Sequence, residues 1–511
     1  MTAGHECKES HRDHVVKITT IRSKTDLIDT QSLKNKILDL AIRGKLTRQL
    51  PDDGTAEELY EKIQEEKQAL VEAGKIKKEK PLKEIEKDEV PFEIPGNWKW
   101  VHWGNIVNIV SARRVHKSDW KDRGIPFYRA REISKLSENG FVDNDLYISH
   151  ELYNEFSNSG VPSSGDLMIT AVGTLGKTYV VKEEDKFYYK DASVICFENY
   201  AKLNPYFLKY IMDSDMMHNQ ISSNSNGTTV DTLTMVRTVK YVLPLPPLNE
   251  QKRIVEKVVS LFAEIDTIEK LQSQYTADSE ILKSKLIDAA IQGKLTEQLP
   301  SDGTAEELYQ QIQTEKQALI SAGKIKKEKP LKEIEEDEIP FEIPESWKWV
   351  RWGDLAESIQ YGYNAPAKDS GRIKMVRISD IQDDQVIWEQ VPFCDIPEKE
   401  INAYILHEND ILFARTGGTV GKSYIVQNML EEAVFAGYLI RTSYSKKLYP
   451  KYMKFFMQSS FYWQQLKNGT IATAQPNCNG KTLSKMMLPL PPMAEQERVV
   501  KKIDELMLLL P

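Results

Sequence analysis

With 511 residues, 41% of them hydrophobic and 28% charged, the chain is long enough for two or three domains that each bury a core. No run of 18 uncharged apolar residues offers a membrane span, and the opening residues lack the apolar stretch of a secretory signal, so the cytoplasm is the expected compartment. A net charge of -8 argues against a generic polyanion binder, which makes the placement of the cations matter more than their sum.

Residues 1–25 read as a polar tail. His5, Cys7, His11 and His14 fall within it, where a solvated segment is the expectation and no metal site is assigned. Cys7, Cys196, Cys394 and Cys478 form no Cys-x-x-Cys pair, which fits four reduced thiols.

Residues 26–93 read as a helical region. Its helix, Asp26 to Ile42, reappears later as Tyr275 to Ile291. From Gly44 to Gly104 the chain then matches Gly293 to Gly353, with 49 of 61 positions identical. A repeat of that length and fidelity marks a duplicated structural unit. Within it, Asp53-Gly54 and Asp302-Gly303 turn the chain, and Thr55 and Thr304 cap a second helix, with Glu58 and Glu307 completing capping boxes. The charged stretches 75–89 and 324–338 read as solvated linkers. The trios Trp98, Trp100, Trp103 and Trp347, Trp349, Trp352 read as core rather than as platforms for bases.

Two variable modules follow, at 94–248 and 344–493. They share a weak frame, GDLMITAVGTLGKTYVV from Gly165 and NDILFARTGGTVGKSYIV from Asn409. Residues 96–240 hold 17 Lys/Arg against 17 Asp/Glu, and residues 345–485 hold 17 against 15, so the acidity sits in the connectors. Gly176-Lys177-Thr178 and Gly421-Lys422-Ser423 resemble the end of a phosphate-binding loop, but Ala171 and Thr416 stand where its first glycine belongs. A hairpin with a lysine at its tip is expected instead. Asn204-Pro205 reads as a helix cap followed by proline at the first helical position, not as an adenine-holding methyltransferase loop. Asp166 and Asp410 lack the acidic and lysine partners of a nuclease.

The region 249–343 opens with Pro246-Pro247 just before a helix to residue 291, which at 1.5 Å per residue spans about 65 Å. Ile254, Val258, Leu261, Ile265, Ile268, Gln272, Tyr275, Ser279, Leu282, Leu286 and Ala289 follow alternating steps of four and three, a heptad seam with three weak members. The last region, 494–511, repeats the first half of that helix. The termini therefore read as the central helix cut in two, paired against it in a circular, pseudo-two-fold arrangement. The sequence stops at Leu-Leu-Leu-Pro511, before the second helix is complete, which reads as truncation or recombination.

Three features together resemble the specificity subunits of type I restriction-modification enzymes. They are the Asp-(Leu/Ile)-Leu/Met frame ending in Gly-x-x-Gly-Lys, the Leu-Pro-Leu-Pro-Pro-x-x-Glu-Gln-x-Arg helix start at Leu243 and Leu488, and the circular repeat. The resemblance implies an α+β fold with two mixed α/β target-recognition domains separated by long antiparallel helices. Each domain would read one half of a split, asymmetric double-stranded DNA sequence. Two methyltransferase subunits would dock on the helices and motor-nuclease subunits would join them, so S-adenosylmethionine, Mg and ATP would belong to the partners and no cofactor or catalytic site to this chain. A methylation-only or type IIB-like system, a self-contained methyltransferase and a protein-binding coiled-coil scaffold are the alternatives.

Base reading needs Arg, Lys, Asn or Gln aimed at base edges, while phosphate contacts position the reader. The candidates are Arg113, Arg114, Lys117, Arg129, Arg131 and Lys177 in the first module. In the second they are Tyr361, Tyr363, Lys368, Arg377, Arg415 and Lys422.

Overall fold

The computed structural model describes residues 27–157, 160–223, 232–382, 384–469 and 477–510. The tail with its His5, Cys7, His11 and His14, and the final Pro511, lie outside them. The chain divides into two units, one of residues 27–272 and one that takes up the chain from residue 273.

The first unit opens with the leading helix Thr30–Ile42, capped by Asp29, whose carboxylate accepts from Ser32 N. Leu38, Ala41 and Ile42 fall on one helical face and are buried in the same cluster as Ile254 and Val258 of the central helix Leu248–Ile291. Lys34 reaches Asp266 at 2.6 Å, and Ile28 and Gln272 exchange hydrogen bonds at 3.2 Å, which fixes the two helices as antiparallel. Burying each leucine, isoleucine or valine among those buried residues contributes about 1.5–3 kcal/mol. The helix ends at Gly44, where φ is +67° and a β-carbon would come within 2.4 Å of Pro95, so only glycine permits both the left-handed turn and the close approach.

The capped helix Ala56–Glu72 follows, with Thr55 Oγ1 accepting from Glu58 N at 3.2 Å as the capping box requires. The module is then entered through β1 (Lys99–His102), which pairs antiparallel with its last strand β9 (Val242–Leu245). Between them, β2 (Asn108–Val110), β3 (Ile125–Tyr128), β4 (Tyr147–Ile148), β5 (Leu167–Thr170), β6 (Thr178–Val180), β7 (Tyr188–Tyr189) and β8 (Val194–Glu198) form two sheets. Their orders are β2-β8-β5-β6 and β4-β3-β7. Trp103 is fully buried and meets Phe197 edge-on at 5.0 Å, which makes it core.

The second unit repeats this plan from its own residues. The helix leading in is the end of the central helix, with Ile287, Ala290 and Ile291 buried in one cluster with Val499, Val500 and Ile503 of the closing helix Met493–Met507. The helix Ala305–Ser321 carries the same capping box, from Thr304 and Glu307. Strands β10 (Lys348–Arg351) and β20 (Met487–Leu490) pair as β1 and β9 do. Within the module, β11 (Ala356–Tyr361), β12 (Ile373–Val376), β13 (Ile381–Gln382), β14 (Gln385–Val386), β15 (Phe393–Cys394), β16 (Ile411–Ala414), β17 (Ser423–Ile425), β18 (Ala433–Phe435) and β19 (Leu439–Tyr444) build the sheets. These are β11-β19-β16-β17, β15-β12-β18 and the hairpin β13-β14.

Two expectations change. The heptad seam holds through Ile254, Val258 and Ile265, all buried, but Tyr275 and Leu282 are about half exposed, while Ile287, Ala290 and Ile291 are buried instead. A straight α-helix turns every 3.6 residues and drifts off a 3.5-residue seam, and the second stretch packs within the other unit. The charged stretches are solvated, with most of their residues exposed, but they are not free linkers. The ring nitrogens of His102 face the backbone oxygens of Lys83 and Lys240 at 3.1 and 2.8 Å. At the equivalent position Arg351 donates to the oxygens of Lys332 and Glu333 and pairs with Glu338 at 2.9 Å. The backbone of each stretch is thus fastened to the first strand of its module, while most of the charged side chains face water.

Candidate nucleic-acid interface

The sequence signature Glu-Gln at the head of each module-closing helix is a joint. Glu250 is fully buried and accepts from Trp98 Nε1 at 2.8 Å, Gln49 Nε2 at 2.9 Å and Thr47 Oγ1 at 3.1 Å. Glu495 accepts from Trp347, Gln298 and Thr296 at 2.8, 2.7 and 2.9 Å. The adjacent Gln251 donates to Pro246 O and accepts from Asn204 N, and Gln496 does the same with Pro491 O and Tyr449 N. Helix, connecting loop and module are locked together identically in both units. Asn204 also caps its helix, its side chain accepting from Tyr206 N and Phe207 N.

Strand directions then gather the candidate residues. In the first module β2, β3, β5 and β7 end, and β6 and β8 begin, at the same edge. Arg113 and Arg114 follow β2, Arg129 and Arg131 follow β3, and Lys177 precedes β6, so these five lie at that edge, while Lys117 stands on the run that leads to Lys121, which bridges Tyr147 on β4. In the second module Tyr361 ends β11 and Tyr363 follows it, Arg377 follows β12, Arg415 follows β16 and Lys422 precedes β17, again at one edge. Lys368 is set apart: it bridges Phe393 on β15, and its ammonium pairs with Asp395 at 2.5 Å. The lysine of each Gly-Lys lies at the base of its hairpin and not at the tip, since Lys177 O accepts from Thr170 N and Lys422 O from Ala414 N.

The partners sort these side chains. Arg129 grips Glu132 through three bonds of 2.9–3.0 Å, from its own N and from Nε and Nη2, and Arg131 adds a fourth at 2.7 Å. Arg377 grips Asp380 in the same way at 2.7–3.0 Å. The device recurs because each arginine caps the short helix after an equivalent strand, which commits both to the fold. Burial pushes the Glu132 carboxyl up, but the hydrogen bonds from Arg129 and Arg131 outweigh it and hold it at about 2. A carboxyl depressed from its ordinary value of 4.5 contributes stability that is complete above pH 4.5 and lost as pH falls toward 2. Acid unfolding followed by circular dichroism is expected to show that loss, about 3 kcal/mol for the full shift. Glu132→Gln is expected to be less stable at pH 7 and to have a flatter acid limb, whereas an unchanged limb would contradict the assignment.

Arg114 pairs with Asp191 at 3.0 Å while 70% exposed, and Lys177 pairs with Glu138 at 3.1 Å. Such exposed pairs are worth about 0–1 kcal/mol, so either cation can exchange its carboxylate for a phosphate cheaply. Arg113, Lys117 and Lys422 are exposed with no ion pair among the described residues. Arg113 lies 5.6 Å over the ring of Phe156 and Lys117 6.0 Å over that of Trp120. Tyr363 packs edge-on to Tyr404 at 5.2 Å and is a packing residue. Arg415 lies 4.7 Å over Tyr361.

Two residues at these edges carry no sequence signal. His218 lies against Gly176 and Trp463 against Gly421, at matching places beside the two hairpins. Trp463 remains 42% exposed. Both come from helices some forty residues away in the chain, which is why no local motif marks them.

The shared frame is structural. Asp166 accepts from Ser163 N at 2.7 Å and Asn199 N at 2.9 Å, and burial raises its carboxyl to about 6. Asp410 accepts from His407 N at 2.9 Å with Arg441 at 3.6 Å. No group of His, Cys, Asp or Glu suited to a metal occurs among the described residues, and none of their helices is long and apolar enough to cross a membrane.

Comparison with known proteins agrees with this architecture. The family model for the type I restriction modification DNA specificity domain matches residues 95–276 and again 344–509. The type I restriction enzyme EcoAI specificity subunit of Escherichia coli is 28% identical over 94% of this chain and 90% of its own length, and the EcoEI subunit matches with the same figures. The MjaVIII specificity subunit of Methanocaldococcus jannaschii is 22% identical over 81% of this chain and 87% of its own. The solved HsdS subunit from Thermoanaerobacter tengcongensis shares the fold with a TM-score of 0.51 at 19% identity, over 82% of this chain and 90% of that one. A chain from a study of type I system assembly and conformational transition does so with a TM-score of 0.55 at 18% identity, over 81% and 91%.

Proposed function

Because this chain belongs to the type I restriction-modification DNA specificity family, we propose that its two modules each read one half of a bipartite, asymmetric double-stranded DNA target. The chain acts as a noncatalytic recognition subunit. Its helices carry two methyltransferase subunits, motor-nuclease subunits complete the complex, and S-adenosylmethionine, Mg and ATP are held by those partners in the cytoplasm.

One observation supports this most: the joints and backbone frames of the two units match, while the side chains on their collected edges differ. A scaffold for identical partners has no use for two different edges on one frame. A two-part reader needs them, because base identity is read by side chains and the frame only positions them.

The test is binding by the chain together with its methyltransferase partner, on DNA carrying both half-sites, either alone, or neither. Tight binding is expected only with both halves at one spacing, with affinity that falls steeply with salt as phosphate contacts are screened. Equal affinity for all four would contradict the reading.

A further inference from the structure

The hairpin edge contains one position where the two modules keep the same backbone and exchange the side chain entirely. In the first module Ala171 N donates to Ser193 O at 2.9 Å, and Ala171 O accepts from Leu233 N at 3.0 Å. In the second, Arg415 N donates to Tyr438 O at 3.1 Å and Arg415 O accepts from Cys478 N at 2.9 Å. Each residue directly follows the central hairpin strand, β5 or β16. Ala171 is 2% exposed and offers nothing but a methyl group.

Arg415 is equipped for recognition. Its guanidinium lies 4.7 Å over the ring of Tyr361, and that ring is fixed because Tyr361 Oη accepts from Gly480 N at 2.9 Å. Among the described residues no carboxylate pairs with Arg415, in contrast to Arg372, Arg377 and Arg441 of the same module. Its Nη1 makes one long contact, 3.4 Å to Gly437 O, and its Nε is enclosed without an acceptor. A planar fork held over an aromatic ring, with most of its donors unspent, matches the paired acceptors O6 and N7 on the major-groove edge of guanine.

We propose that Arg415, laid on Tyr361, is the side chain through which the second module specifies one guanine of its half-site. This rests on the reading of the chain as a bipartite DNA reader. Arg415 gives direct base readout and Tyr361 is its positioning residue. The first module, with alanine at that position, recognises its half-site through other side chains.

The test uses the full chain with its partner subunits, wild type and the variants Arg415→Ala, Arg415→Lys and Tyr361→Phe, with every methylated sequence in host DNA read out. In Arg415→Ala, one guanine of one half-site is expected to become degenerate, with discrimination at that base falling by about 5- to 150-fold, while every other base of the motif is kept. Arg415→Lys is expected to regain only part of it, because an ammonium lacks the planar fork. Tyr361→Phe removes the hydroxyl that holds the ring to Gly480 N and is expected to weaken discrimination at that same guanine, by less than Arg415→Ala does. Preservation of the other half-site in the same molecule shows that each variant is folded. An unchanged motif in Arg415→Ala overturns the inference and leaves the bipartite reading standing, as does a loss of affinity that is equal for all sequences, the mark of a phosphate contact. A wild-type chain that directs methylation to no bipartite sequence overturns both.

Discussion

Exchanging residues 105–240 for the corresponding module of another family member is expected to change one half of the recognised sequence and leave the other half intact. The residues that seat the module lie outside the exchanged segment: Thr47, Gln49, Trp98, Trp103, Glu250 and Gln251. Any module built on the same frame therefore meets an unchanged joint. The effect is large, because each mismatched base pair costs about 1–3 kcal/mol and a half-site holds several, so binding to the original sequence is expected to fall by about 10³-fold or more. Methylation mapping of the exchanged protein checks this. A change in both halves would show that the modules do not read independently.

The second large effect is on stability. Glu250→Ala leaves the indole of Trp98, the amide of Gln49 and the hydroxyl of Thr47 facing a cavity where a fully buried carboxylate stood. Of these donors the Trp98 indole is buried, and an unsatisfied buried donor costs about 1–3 kcal/mol, whereas Thr47 and Gln49 reach water, so the loss is expected at about 2–3 kcal/mol. That is a large share of a stability of about 5–15 kcal/mol. Glu495→Ala is expected to cost the second unit a similar amount, since Trp347, Gln298 and Thr296 lose the same partner. Glu264→Ala, at an exposed position of the central helix, is expected to stay within about 0.5 kcal/mol. Thermal unfolding of the three variants decides the matter. Equal midpoints for Glu250→Ala and Glu264→Ala would refute the role given to the joint.

Sequence and structure agree where the determining physics is local. Thr55 with Glu58, Thr304 with Glu307, and Asn204 before Pro205 cap helices as their spacing requires. The repeat resolves into two units of one plan because near-identical residues make near-identical joints. The tryptophan trios are largely enclosed, with Trp103 and Trp352 deepest.

Agreement fails where a partner distant in sequence decides. The charged stretches read as linkers because composition does not reveal that His102 and Arg351 take up their backbone oxygens. The central helix leaves its heptad seam because two different surroundings bury its two ends. Arg129 and Arg377 look like readers in the sequence, yet each is spent on a carboxylate three residues away, while Arg415 has none among the described residues. His218 and Trp463 reach the edges from remote helices. Net charge could not rank these residues, because the cations that are free and those that are paired count alike.

The most direct measurement of the central claim is the set of methylated sequences in DNA from cells that carry this chain with its methyltransferase partner, compared with cells lacking the chain. A single motif of two different short sequences separated by a fixed number of unspecified bases, absent without the chain, is the predicted result. Methylation that is independent of the chain, or confined to one continuous short sequence, would contradict two readers on one spacer.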